Sequence, residues 1–140
     1  MSKREPTFFL FDIFVAIIKI EYTVKNFNSP ESLKYDYLAW DSVIREFEII
    51  GEATKHLIKL GLLDEENQII VDFRNLLIHH YFGIDAEAVW NVVKQDLGKF
   101  KDVIEYKIMH TEEEVRKHIS QSFVDENNHL DFMVKELQKF

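Results

Sequence analysis

Eight consecutive residues, Arg74-Asn75-Leu76-Leu77-Ile78-His79-His80-Tyr81, bring a fixed cation, an amide, an imidazole and a phenol together in the pattern R-N-x-x-x-H-x-Y. On an ideal helix, at about 100° per residue, Tyr81 falls roughly 20° from Arg74, and Asn75 and His79 follow at about 100° and 140° on the same side. Phe73, Leu76, Leu77 and His80 take the opposite side. The guanidinium of Arg74 keeps its proton, so its natural task is to hold an anion or to neutralise developing charge. His79 can give or take a proton near neutrality. Asn75 can bind a phosphate oxygen or orient the histidine, and Tyr81 can donate to a phosphate oxygen or accept a modification. Arginine and histidine without a carboxylate pair or a metal-ligand cluster suit metal-free cleavage of RNA. In that chemistry the ribose 2′-OH attacks the adjacent phosphate, His79 moves the proton and Arg74 stabilises the charged transition state.

The spacing sets a geometric condition. At about 140° apart, Arg74 and His79 meet poorly within one straight helix. A two-fold dimer that joins two copies of the segment provides a shared cleft with two arginines and two histidines. The plainer reading is an intramolecular ion pair for Arg74 and a satisfied, buried His79. His79-His80 is a poor metal pair, because adjacent side chains diverge on a helix and no HxxxH or HExxH pattern is present. His56, His110, His118 and His129 are isolated and are expected in ordinary surface or edge roles. Glu52 is open between a charge on a helix face and a residue that reaches the Arg74 region to orient it or bind RNA.

The elements that position these residues read as helices. The first spans about 7–27. Ser29-Pro30 is an N-cap followed by proline at the first helical position, opening a second helix to about residue 60 with an irregularity near 35–39. Val43, Ile44, Phe47, Ile50, Ala53, Leu57 and Ile58 follow helical spacing along it. Gly61 is its C-cap. Residues 62–68 form a turn or a short helical piece, and the third helix starts near Ile69 and carries the motif. Gly83 and Asp85 mark the next boundary, with Asp85 as N-cap of a fourth helix over 86–109. Thr111-Glu112-Glu113-Glu114 matches a capping box opening a fifth, shorter helix, and a final amphipathic helix is expected over 125–138. The expected architecture is all-α: an antiparallel bundle of four core helices over 1–110 and a helical extension over 111–140, packed on the same domain or on a partner.

Composition narrows the class. A chain of 140 residues with 46% hydrophobic and 14% aromatic residues is long and apolar enough for one folded domain. The absence of cysteine removes disulfides and thiolate chemistry and fits a reducing, cytoplasmic setting. The net charge of −8 argues against a broad, non-specific nucleic-acid binder but leaves room for a local positive pocket. Lys3 and Arg4 ahead of an apolar run imitate a signal peptide. However, Asp12 interrupts that run and no small-x-small site follows. It is also too short to span a bilayer. It reads as a helix that is apolar nearly all round. One side faces its own domain and the other calls for a second subunit, hence an oligomer.

Two blocks resemble the HEPN superfamily, specifically its HepT-like branch. Val43-Ile44-Arg45-Glu46-Phe47-Glu48-Ile49-Ile50-Gly51-Glu52-Ala53 is similar to the family's L-E-x-I-G-E-A helix. Phe73-Arg74-Asn75-Leu76-Leu77-Ile78-His79-His80-Tyr81-Phe82-Gly83-Ile84-Asp85, followed by Val89-Trp90, is similar to its R-N-x-x-x-H-x-Y-F-G-x-D … V-W stretch. The resemblance covers about 8–108. It implies a homodimeric, metal-independent ribonuclease without a cofactor, acting as the toxin of a toxin–antitoxin pair, with Arg74 and His79 catalytic. It also implies a small nucleotidyltransferase of the MNT type as antitoxin, which silences the toxin by adding AMP to Tyr81. Two other readings compete: a non-catalytic module that presents nucleotide or substrate to a nucleotidyltransferase, and a helical scaffold whose motif is only structural.

Overall fold

The computed structural model describes residues 5–79 and 83–140, and every regular element among them is helical. The organising element is α1 (Pro6–Val24), which opens with Pro6 in its first turn, where the missing N–H costs nothing. Phe11, Ile13, Phe14, Ile17 and Ile20 have no solvent exposure. A helix so apolar on every side must be surrounded, and α3 (Tyr37–Lys59), α6 (Leu97–Met109), α7 (Glu113–Glu126) and α8 (Asp131–Leu137) all pack on it. This corrects the expectation that its second apolar side needs another subunit. Phe11 stacks on Phe123 of α7 at 5.4 Å, and Phe11 and Phe14 meet Phe140 edge-on at 5.4 and 5.0 Å. The chain's own C-terminal helices provide the cover.

Local signals account for most boundaries. Ser29 caps α2 (Pro30–Tyr35), exchanging hydrogen bonds with Ser32 in a capping box. The irregularity expected near 35–39 is a break at Asp36, whose carboxylate accepts from the Ala39 N–H at 3.1 Å and so caps α3. At the other end of α3, Gly61 adopts φ 76°. The Leu62 N–H donates to the Leu57 carbonyl and the Gly61 N–H to that of Ile58, the Schellman arrangement that only a residue tolerant of positive φ allows cheaply. A 3₁₀ turn at Glu65–Asn67 leads into α4 (Gln68–His79), which packs on α3. Asp85 caps α5 (Ala86–Asn91) through the Glu87 N–H. The helix expected over 86–109 runs as α5, a π-helical turn at Val92–Asp96, and α6.

Two boundaries near the C-terminus differ from expectation. The capping box at Thr111 to Glu114 does not form. The Thr111 hydroxyl donates instead to the Ile108 carbonyl at 2.7 Å, closing α6, and Glu112 stands at the α7 N-cap without a side-chain cap bond. The final helix starts at Asp131 rather than 125, because α7 continues to Glu126 and Asn127 ends it by donating its side-chain amide to the Phe123 carbonyl at 2.8 Å. Ser120 donates to the Leu137 carbonyl at 2.8 Å and Arg116 to the Phe140 carbonyl at 3.1 Å, tying the C-terminal end of the chain to α7.

Candidate functional site at the α3–α4 crossing

Helix α4 carries Arg74 and packs on α3, with Phe73 at the contact. Phe73 meets Phe47 edge-on at 5.2 Å, and Val71 and Leu77 are buried. The helices come close at Gly51. A Cβ placed there would overlap the Cβ and Cγ of Arg74, so glycine is required by contact with the arginine stem rather than by backbone conformation. The Arg74 side chain is only 13% exposed. Its Nη2 donates to Glu52 Oε2 at 3.1 Å, while its Nε is buried without a hydrogen-bond partner among the described residues.

Glu52 is shared. Its other oxygen lies 3.3 Å from His56 Nε2, one helical turn on, and the His56 ring stacks on Phe9 of α1 at 4.9 Å with 18° between planes. A three-membered chain, Arg74–Glu52–His56, therefore crosses from α4 to α3 and rests on α1. The expectation of an isolated His56 at the surface gives way to a histidine tied into the same network. The i, i+4 spacing from Glu52 was the signal available for it. Phe9 had none, because its place beside His56 depends on how α1 packs.

His79 occupies the last turn of α4, exposed, and makes no hydrogen bond or ion pair with the described residues. It is not the buried, satisfied histidine of the plainer reading, whereas the intramolecular ion pair of that reading does exist at Arg74. Asn75 is half-buried. Tyr81, and His80 beside it, lie outside the described residues. One further carboxylate escaped notice: Glu46 on α3 is 8% exposed, and burial pushes its pKa up against the pull of Lys19 and Arg45. Among the described residues no three His, Asp or Glu side chains gather as a metal site, and no helix is long and apolar enough to cross a membrane.

Chemically, the crossing offers a guanidinium held by one carboxylate, with an imidazole further along the same helix that has no partner among the described residues. Comparison with known proteins adds a family. The profile described as "Ribonuclease HepT-like" matches residues 13–106. "Putative RNase MJ1380" of Methanocaldococcus jannaschii is 34% identical over 108 residues, covering 75% of this chain and 98% of that protein. "Putative RNase MJ0125" of the same organism is 32% identical over 117 residues, 81% of this chain and 99% of that protein. "Probable ribonuclease HepT" of Thermococcus cleftensis is 34% identical over 106 residues, 74% and 96% respectively. No solved structure matches.

Proposed function

The chain belongs to the HepT-like family of the HEPN superfamily, and from that premise we propose that it is a metal-independent endoribonuclease acting as the toxin of a toxin–antitoxin pair. The observation that carries this reading is the division of labour on α4: Arg74 is held in place by Glu52, while His79 is exposed and unpartnered among the described residues. His79 takes the proton of a ribose 2′-OH, and the 2′-oxygen bonds to the adjacent phosphorus. The bond from phosphorus to the 5′-oxygen breaks, leaving a 2′,3′-cyclic phosphate and a 5′-hydroxyl that picks up a proton. Arg74 stabilises the negative charge that builds on the phosphoryl oxygens.

A second copy completes the site. Arg74 and His79 stand about 140° apart around one helix, so a cleft with both groups facing one phosphate needs two segments. With α1 already covered, the surface available for this lies on α4 itself, where Leu76 is 50% and Ile78 42% exposed beside the motif. Two His79 side chains then serve as base and acid. The antitoxin is a nucleotidyltransferase of the MNT type. AMP added to Tyr81 places bulk and negative charge where substrate phosphate must sit.

The test is expression of wild type against His79→Ala, with equal folding checked by circular dichroism. Growth arrest with RNA breakdown in wild type alone is the expected result. RNA left intact by both sinks the nuclease. It would favour the second reading, a non-catalytic partner that presents nucleotide to a nucleotidyltransferase, for which the net charge of −8 speaks.

A further inference from the structure

On the far side of Glu52 from Arg74 lies a groove of about 270 Å³ that the proposed reaction leaves unused. Its wall is the stacked pair Phe9 and His56, and Asp12, Glu48 and Glu52 form its rim. The His56 ring is fixed on two sides. One face lies on Phe9 and its Nε2 edge is at Glu52, yet the side chain is still 48% exposed. An aromatic ring with a fixed orientation and an open face is a stacking surface. Among the described residues no lysine or arginine lines the groove, and the carboxylates of Glu48 and Glu52 repel a phosphate and accept N–H donors. The ligand that fits is planar, uncharged and edged with N–H groups.

Resting on the ribonuclease reading above, we propose that His56, backed by Phe9, is the stacking platform for an unpaired nucleobase beside the scissile phosphate, with Glu48 accepting hydrogen bonds from the edge of that base. The phosphate goes to Arg74 and the base to His56, so one nucleotide straddles Glu52, whose two oxygens already contact both residues at 3.1 and 3.3 Å. The acidic rim sets the choice of base. Guanine offers adjacent ring N–H and amino donors that one carboxylate can receive together, whereas uracil offers a single N–H. The groove therefore selects guanine over uracil at one position next to the cut.

The experiment is cleavage of a random-sequence single-stranded RNA by the full chain, with the cut sites read by sequencing and the steady-state constants measured on one guanine-containing oligonucleotide. Wild type is expected to show a guanine preference at one flanking position. His56→Ala should flatten that preference and raise KM about 10- to 100-fold, the range a lost base stack corresponds to, with a much smaller fall in kcat. His56→Phe keeps a ring on Phe9 without the contact to Glu52, and should restore most of the KM. Glu48→Gln should weaken the discrimination of guanine from uracil. Wild-type cleavage with the same KM and base preference in His56→Ala overturns the platform while leaving the nuclease standing. A wild type that neither cuts nor binds the RNA overturns the ribonuclease reading and the base site with it.

Discussion

Replacing Gly51 by alanine tests whether the close approach of α3 and α4 over Arg74 is what holds the site. Two effects of opposite sign are expected. Alanine is better than glycine inside a helix by about 0.8–1.0 kcal/mol. Against this, the new methyl would overlap the Cβ and Cγ of Arg74 and sit 3.1 Å from its Nε. The Cβ is fixed to the α4 backbone, so turning the arginine cannot clear the overlap and the helices must part. Forcing a methyl into a packed contact costs about 1–3 kcal/mol, occasionally more. Gly98 on α6 supplies the internal reference, because a Cβ there meets nothing within 4 Å. Gly98→Ala should be more stable than wild type by nearly the full helix gain, and Gly51→Ala should fall below Gly98→Ala by about 1–3 kcal/mol. Urea denaturation with unchanged m-values measures both. The activity arm is steeper. A shift of about 1 Å in the Arg74–Glu52 pair is enough for roughly a 10²-fold loss of RNA cleavage.

The identity of the obstructing residue is checked by a double-mutant cycle with Arg74→Ala. That change removes the Cγ and leaves the Cβ, so the cost of Gly51→Ala should shrink without vanishing. Equal stability of Gly51→Ala and Gly98→Ala would refute the contact. A cost at Gly51 that ignores residue 74 would show that something other than Arg74 is being struck.

Two further outcomes follow from the packing. Glu46 is buried and its pKa is raised, so its contribution to stability is present below the unfolded value near 4.5 and is lost as pH rises through the higher folded value; Glu46→Gln should therefore raise Tm at pH 7 and do much less at pH 4, and an equal gain at both would contradict the burial argument. Phe140→Ala removes a ring that meets Phe11 and Phe14 edge-on and should cost about 3 kcal/mol in urea denaturation, whereas a loss below about 1 kcal/mol would mean that the C-terminal helices contribute little to enclosing α1.

What was legible in the sequence divides by the range of the interaction. Caps formed within a few residues were readable at Ser29, Gly61 and Asp85, since each has one dominant partner close by in the chain. The same kind of signal misled where a side chain had two local choices. Thr111 could cap α7 or close α6, and its hydroxyl went to the Ile108 carbonyl. Asn127 lay inside an apparently amphipathic stretch and ended α7 through Phe123. The π turn at Val92–Asp96 has no composition signal, since its residues also suit an α-helix. The cover on α1 was legible as a need but not in its source, because hydrophobic periodicity states that a face is buried and says nothing about which element buries it.

The site follows the same division with one instructive exception. Arg74 and His79 could be read together because they share a helix; His56 also shares α3 with its partner Glu52, but its place in the network depends on Arg74 from α4 and Phe9 from α1. Glu52 lay between these cases. It was undecided as a lone charge, yet the residue before it supplies the missing information. A glycine in mid-helix costs about 1 kcal/mol relative to alanine, which is tolerated where another chain segment must pass close by. At Gly51 that segment is the stem of Arg74. A carboxylate next to a close-approach glycine is carried toward whatever makes the approach, and a fixed cation on the opposing helix is the partner that stabilises it there. Read as a pair, Gly51-Glu52 identifies the arginine's anchor in a way that neither residue does alone.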